Sequence, residues 1–138
     1  MCPAPRKQQH DAVRRGRVAE FLAAAWLLHH LNAYVAIPPD PNDTDLLLQI
    51  EEGEWRSIQV KSTFTHDENL VANVTKSNGE RYKTDYMLIV DTNDGDATFW
   101  LIPTKDITEK SRIILTNYAD YYMGGFNEPP TQYDGKPL

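Results

Sequence analysis

Cysteine is almost missing: Cys2 is the single one among 138 residues. One thiol near a chain end builds neither an intramolecular disulfide nor a cysteine-based zinc site, and it points to a reducing, cytoplasmic setting. Excess positive charge is missing too. A net charge of -6 excludes a generic nucleic-acid coat protein, which presents a basic surface throughout. Long apolar runs are lacking as well. Arg14–Leu28 (RRGRVAEFLAAAWLL) sets paired arginines before an apolar stretch, as an export signal does. However, Glu20 interrupts it, His29 and His30 end it, and no small-x-small cleavage site follows. The run is also too short to span a bilayer, so no membrane partner is expected.

Several signatures are equally absent. Nothing repeats at the roughly 20–50-residue period of solenoids. His10, His29, His30 and His66 show no HExxH spacing. Asp91, Asp94 and Asp96 lack the EF-hand register and its closing glutamate, so TNDGDAT reads as a hairpin turn. Ser57, Ser62 and Thr63 stand in no G-x-S-x-G context. Trp26, Trp55 and Trp100 are spread as core or hairpin packers are.

What is present is ordinary in bulk and uneven in detail. Hydrophobic residues at 41% and charged residues at 25% suit one globular domain, expected over 1–123 and followed by an irregular Gly-, Pro-, Asn- and Asp-rich tail over 124–138. Residues 1–17 carry Arg6, Lys7, Arg14, Arg15 and Arg17 against Asp11 alone. A basic end on an acidic body suits phosphate contact at that end and cation binding in the body.

Periodicity predicts a helix from about Gln8 to Leu31, with a stripe through Val13, Gly16, Glu20, Ala24, Leu27 and Leu31 and with Phe21 and Leu28 beside it. Glu20 is out of place in that stripe, because a carboxylate among small and apolar residues needs a cation or donors. Short strands follow: Tyr34–Ile37, Asp45–Ile50, Trp55–Phe64, Leu70–Val74, Asp85–Asp91, Ala97–Ile102 and Arg112–Leu115. EEGE turns at Gly53, and Thr104 is placed to cap a short helix in TKDITEK. The expected fold is α/β (α+β): a central mixed β-sheet flanked by a long N-terminal helix and shorter helices.

Strand alternation puts Ser57, Gln59 and Lys61 on one face and Ile58 and Val60 on the other. Hairpin pairing brings Asp45 toward Gln59 and Lys61, and a helix over the sheet brings Glu20 to the same patch. Asp40 and Asp43 compete with Asp45 for the aspartate position, and Asp45 is favoured because it opens the strand DLLLQI. Two carboxylates and neutral oxygens make a hard site suited to Mg²⁺ or Mn²⁺, and a lysine beside it orients or deprotonates water or neutralises phosphate charge. Such an arrangement reads as phosphodiester hydrolysis. Ser62 and Thr63 offer hydroxyls to a phosphate, and Tyr82 and Asp85 are placed to border the site.

The stretch Gly16–Phe64 resembles the core of the PD-(D/E)xK nuclease superfamily: Gly16 to Glu20 matches its helix motif, Asp45 its strand aspartate, and Gln59-Val60-Lys61 its final motif. Within that superfamily the chain is similar to the small homing-endonuclease and Holliday-junction-resolvase branch, and the likeness runs on through Arg81–Ile107. It implies a restriction-endonuclease-like fold and a Mg²⁺-dependent DNA endonuclease. Asp45, Glu20, Gln59 and the Val60 carbonyl would be the ligands, and Lys61 would act on the water. Gln59 departs from the family's acidic residue. It sustains a second reading, a nuclease-fold protein that binds DNA or a protein partner without cutting. Arg14, Arg15, Arg17 and Ser62 are the expected DNA-backbone contacts. Cutting both strands requires two sites, hence a homodimer or larger homo-oligomer.

Overall fold

The computed structural model describes residues 6–31, 33–38, 44–49, 53–92 and 96–126, with 6–13 and Arg15 described by backbone alone. The rival aspartates Asp40 and Asp43, Cys2 and most of the expected tail lie outside the described residues.

The helix α1 runs Arg6–His30. Its buried face is Ala19, Ala23, Trp26 and Leu27, with Leu31 just beyond the helix; Leu27 and Leu31 belong to the stripe that spacing predicts, whereas Gly16, Glu20 and Ala24 are only partly covered. Trp26 decides the rotation: the largest apolar side chain on the helix is fully buried and stacks on Phe99 with ring centroids 4.9 Å apart. Phe21 and Leu28 therefore face solvent, and Glu20 sits at the margin of the buried face, partly covered.

Among the described residues nine strands follow: β1 Tyr34–Ala36, β2 Leu46–Gln49, β3 Trp55–Ser62, β4 Phe64–His66, β5 Asn69–Asn73, β6 Tyr86–Asp91, β7 Thr98–Pro103, β8 Arg112–Ile114 and β9 Tyr122–Gly125. They form a six-stranded sheet ordered β1-β2-β3-β6-β7-β9 and a three-stranded sheet ordered β4-β5-β8. All neighbours in the large sheet are antiparallel except β3 and β6, whose parallel register sets Gln59 beside Met87 and Lys61 beside Ile89. A mixed sheet is thus present as expected, and it lies between α1 and the small sheet.

Two cores hold the layers. Ala19, Ala23, Trp26 and Leu27 of α1 pack on Leu46, Leu48, Ile58, Val60, Leu88 and Phe99. Met87, Ile89, Trp100 and Ile102 on the other face pack on Ala72, Ile113, Leu115 and Tyr118. Each fully buried Leu or Ile stabilises the fold by about 1.5–3 kcal/mol through the apolar area it removes from water.

Three local expectations change. The strand predicted over Trp55–Phe64 breaks after Ser62: the Thr63 N–H donates to the Val90 carbonyl at 3.1 Å and its hydroxyl to Asp91 at 3.0 Å, turning the chain into the small sheet. Thr104 lies inside a short 3₁₀ turn, Thr104–Asp106, that follows Pro103 and has no side-chain cap. The ordered sheet continues beyond residue 123, because β9 pairs with β7. Of the late tyrosines, Tyr118 is buried and hydrogen-bonds Glu109, whereas Tyr121 is half-buried and donates to Asp106 at 2.8 Å.

Candidate active site

β3 runs on past the start of its antiparallel partner β2. Their last paired residues are Leu46 and Ile58, after which the Asp45 N–H donates to the Ile58 carbonyl at 2.9 Å. The Asp45 carboxylate then accepts the Val60 N–H at 3.0 Å, taking the place of a backbone partner that β2 no longer supplies. This seat fixes a carboxylate at the open edge of β3.

Around it stand the other residues singled out by sequence. Gln59 is buried at 8% exposure, and its amide donates to the Val60 carbonyl over a long 3.4 Å. A contact that long holds the amide weakly, and half a turn about its last bond exchanges N–H₂ for a carbonyl oxygen. Lys61 is half-buried, with its ammonium 4.9 Å from the centre of the Tyr82 ring. Glu20 reaches the edge from α1 and pairs with Arg17 at 3.4 Å.

The charges identify which groups lie together. Burial pushes the Glu20 carboxyl above the ordinary carboxylate range, and the nearby Asp45 charge raises it further against the pull of Arg17. Burial likewise raises Asp45, opposed by the Val60 N–H and by the charges of Lys61 and Arg17. Asp45 is therefore the hub, within electrostatic reach of both Glu20 and Lys61. The two carboxyls carry more burial and repulsion than their partners offset.

The geometry corrects two expectations. Ile58 and Val60 face α1, whereas Gln59 and Lys61 face the small sheet with Met87 and Ile89, so Glu20 and the Gln59–Lys61 pair approach from opposite faces. What links them is Asp45 at the strand edge, which acts electrostatically on Glu20 and is acted on by Lys61. Asp85 is not at the site: its carboxylate accepts the Ser57 N–H at 2.9 Å and the Ser57 hydroxyl at 3.2 Å, at the opposite end of β3. Ser62 closes β3 half-buried beside Val90, and the Thr63 hydroxyl is engaged by Asp91. Arg14 is exposed, as is Arg17 with 70% of its side chain in solvent, both on the first half of α1; the side chain of Arg15 lies outside the described residues.

The donors at this edge are two carboxylates, an amide and a backbone carbonyl, all oxygen. That set fits a hard divalent ion such as Mg²⁺, and the under-compensated charge of Glu20 and Asp45 suits it too. No group of three or more His, Cys, Asp or Glu that could hold a metal ion converges among the described residues.

Among solved structures the chain is similar to a bacterial homing endonuclease, I-Ssp6803I, with a TM-score of 0.58 and 24% identity over 71% of this chain and 70% of that one. No protein-family model and no curated protein matches. The likeness is one of fold, which in this chain is a mixed sheet with a long helix. No helix among the described residues is long and apolar enough to cross a membrane.

Proposed function

We propose that the chain is a metal-dependent endonuclease that hydrolyses DNA phosphodiester bonds, of the PD-(D/E)xK type with Gln59 in the acidic place. The observation that carries this reading is the Asp45 carboxylate seated on the Val60 N–H at the open edge of β3, within reach of Glu20 and Lys61. The fold shared with a bacterial homing endonuclease supports it.

Asp45, Glu20, the Gln59 amide oxygen and the Val60 carbonyl would hold Mg²⁺ or Mn²⁺. Bound there, the ion supplies a Lewis acid for a phosphate oxygen and lowers the pKa of a water. Asp45 keeps its carboxylate fixed through the Val60 N–H, so little reorganisation accompanies the reaction. Lys61 neutralises charge that builds on the phosphate and orients the attacking water. Arg14, Arg15 and Arg17, with the Ser62 hydroxyl, hold the DNA backbone. One such site per protomer makes the acting species a homodimer or larger homo-oligomer in the cytoplasm, since a duplex presents two strands.

Incubation of supercoiled plasmid with Mg²⁺ or Mn²⁺ tests this. The wild type is expected to nick and linearise it, and Asp45→Ala and Lys61→Ala to slow cleavage on the order of 100-fold or more. Equal nicking by Lys61→Ala rejects the role of Lys61. DNA binding without cleavage of supercoiled, linear or branched substrates replaces the enzyme with a binding module.

A further inference from the structure

We propose that Tyr82 is the positioning residue for Lys61, its ring face setting where the ammonium stands beside Asp45; the role rests on the nuclease reading. A lysine head sits on several rotatable bonds and carries about 2 kcal/mol of rotamer entropy when free. Left to Coulomb attraction alone, it would close onto Asp45 and occupy the oxygens that a divalent ion needs. In the structure it does not. Lys61 acts on Asp45 through space, forms no ion pair with it among the described residues, and lies 4.9 Å from the Tyr82 ring centre. That distance is within the range where the negative face of an aromatic ring attracts a cation.

The ring is the fixed partner. Tyr82 is half-buried and packs against the core between the large and small sheets. Its neighbour Arg81 donates to the carbonyls of Ile107 at 3.2 Å and Glu109 at 2.9 Å, and it bridges Thr75 through the backbone. The segment before β6 is thereby anchored to both flanks, and the flexible lysine settles on the anchored ring. Tyr82 holds the charge near the phosphate position and off the carboxylate.

The test compares wild type, Tyr82→Phe and Tyr82→Leu by plasmid cleavage at saturating metal and by the Mg²⁺ concentration that half-saturates thermal stabilisation. The ring face is needed and the hydroxyl is not, so Phe is expected within about twofold of wild type on both readouts. Leu is expected to lower kcat roughly 3–30-fold, with KM for DNA nearly unchanged, and to raise the Mg²⁺ midpoint several-fold. In a Lys61→Ala background, Tyr82→Leu should add nothing. A Leu variant that equals wild type, a Phe variant as impaired as Leu, or a Leu effect that persists without Lys61 overturns the role. A wild type that binds Mg²⁺ but cleaves nothing overturns the nuclease reading instead, and the Mg²⁺ midpoint still decides whether the ring holds the lysine off Asp45.

Discussion

Replacing Asp45 with Asn separates the two things its carboxylate does. An Asn oxygen still accepts the Val60 N–H, now 3.0 Å from the Asp45 carboxylate, so the edge of β3 stays satisfied, but the charge is gone. Asp45→Ala would also leave a backbone donor without its partner, at a cost of about 1–3 kcal/mol where that donor is shielded from water. Both Asp45 and Glu20 have their carboxyls raised in the folded state, chiefly by burial. Their contribution to metal-free stability is therefore full below the unfolded carboxylate pKa of about 4 and is lost as pH rises through the raised folded values. Asp45→Asn should flatten that decline and melt no lower than wild type at pH 7 without metal. With metal the order reverses. An ion at about ten times its dissociation constant adds about 1.4 kcal/mol. At about 2.1 cal/mol/K of unfolding entropy per residue, that amounts to roughly 5 °C for a chain of 138 residues. Wild type should gain this shift in Mg²⁺ or Mn²⁺, increasingly as pH rises through the same window, and Asp45→Asn should not. Scanning calorimetry with and without metal at several pH values measures both effects. An undiminished metal shift in Asp45→Asn, or a large loss of metal-free stability, would refute the reasoning.

Gln59→Glu adds an acid near Asp45: the Mg²⁺ concentration that half-activates cleavage should fall about tenfold, while metal-free stability drops because a buried carboxylate joins two partly buried ones. An unchanged metal dependence would remove Gln59 from the ligand set. Gly16 stands one helical turn before Glu20, and a Cβ there would meet nothing within 4 Å. Gly16→Ala should therefore stabilise the helix by about 0.5–1 kcal/mol, seen as a melting point roughly 2–3 °C higher. If DNA uses that open space to reach Glu20, the same variant cleaves more slowly; a lower melting point would contradict the open geometry.

Much of the layout was legible from local pattern. The helix is foreseen nearly to its ends, and the turn at Gly53 takes the positive φ of 89° that glycine tolerates. Alternation along β3 correctly separates Ile58 and Val60 from Gln59 and Lys61. Other features depend on long-range choices. Small-residue spacing misorients α1 because it does not weigh the area of Trp26, which turns the helix toward Phe99. β9 begins in the short stretch Tyr122–Gly125, whose glycines read as irregular; its strand character comes from the neighbouring edge of β7. Asp85, close to Tyr82 in sequence, is drawn by Ser57 to the far end of β3.

Sequence by itself determined the chemistry on offer: Glu20 out of place on a helix, Asp45 opening a strand, and Gln59 and Lys61 sharing a strand face, each set by a residue type and a period of 3.6 or 2. Tertiary structure alone decided how Asp45 is seated and what stands beside Lys61. β2 starts only at Leu46, which leaves the Val60 N–H to Asp45, and the parallel β3–β6 register and the Arg81 clamp set the surroundings of Lys61 and Tyr82. The physical reason is that local periodicity tells which way a side chain points. Where strands stop and what crosses beside them is settled by contacts between residues far apart in the chain.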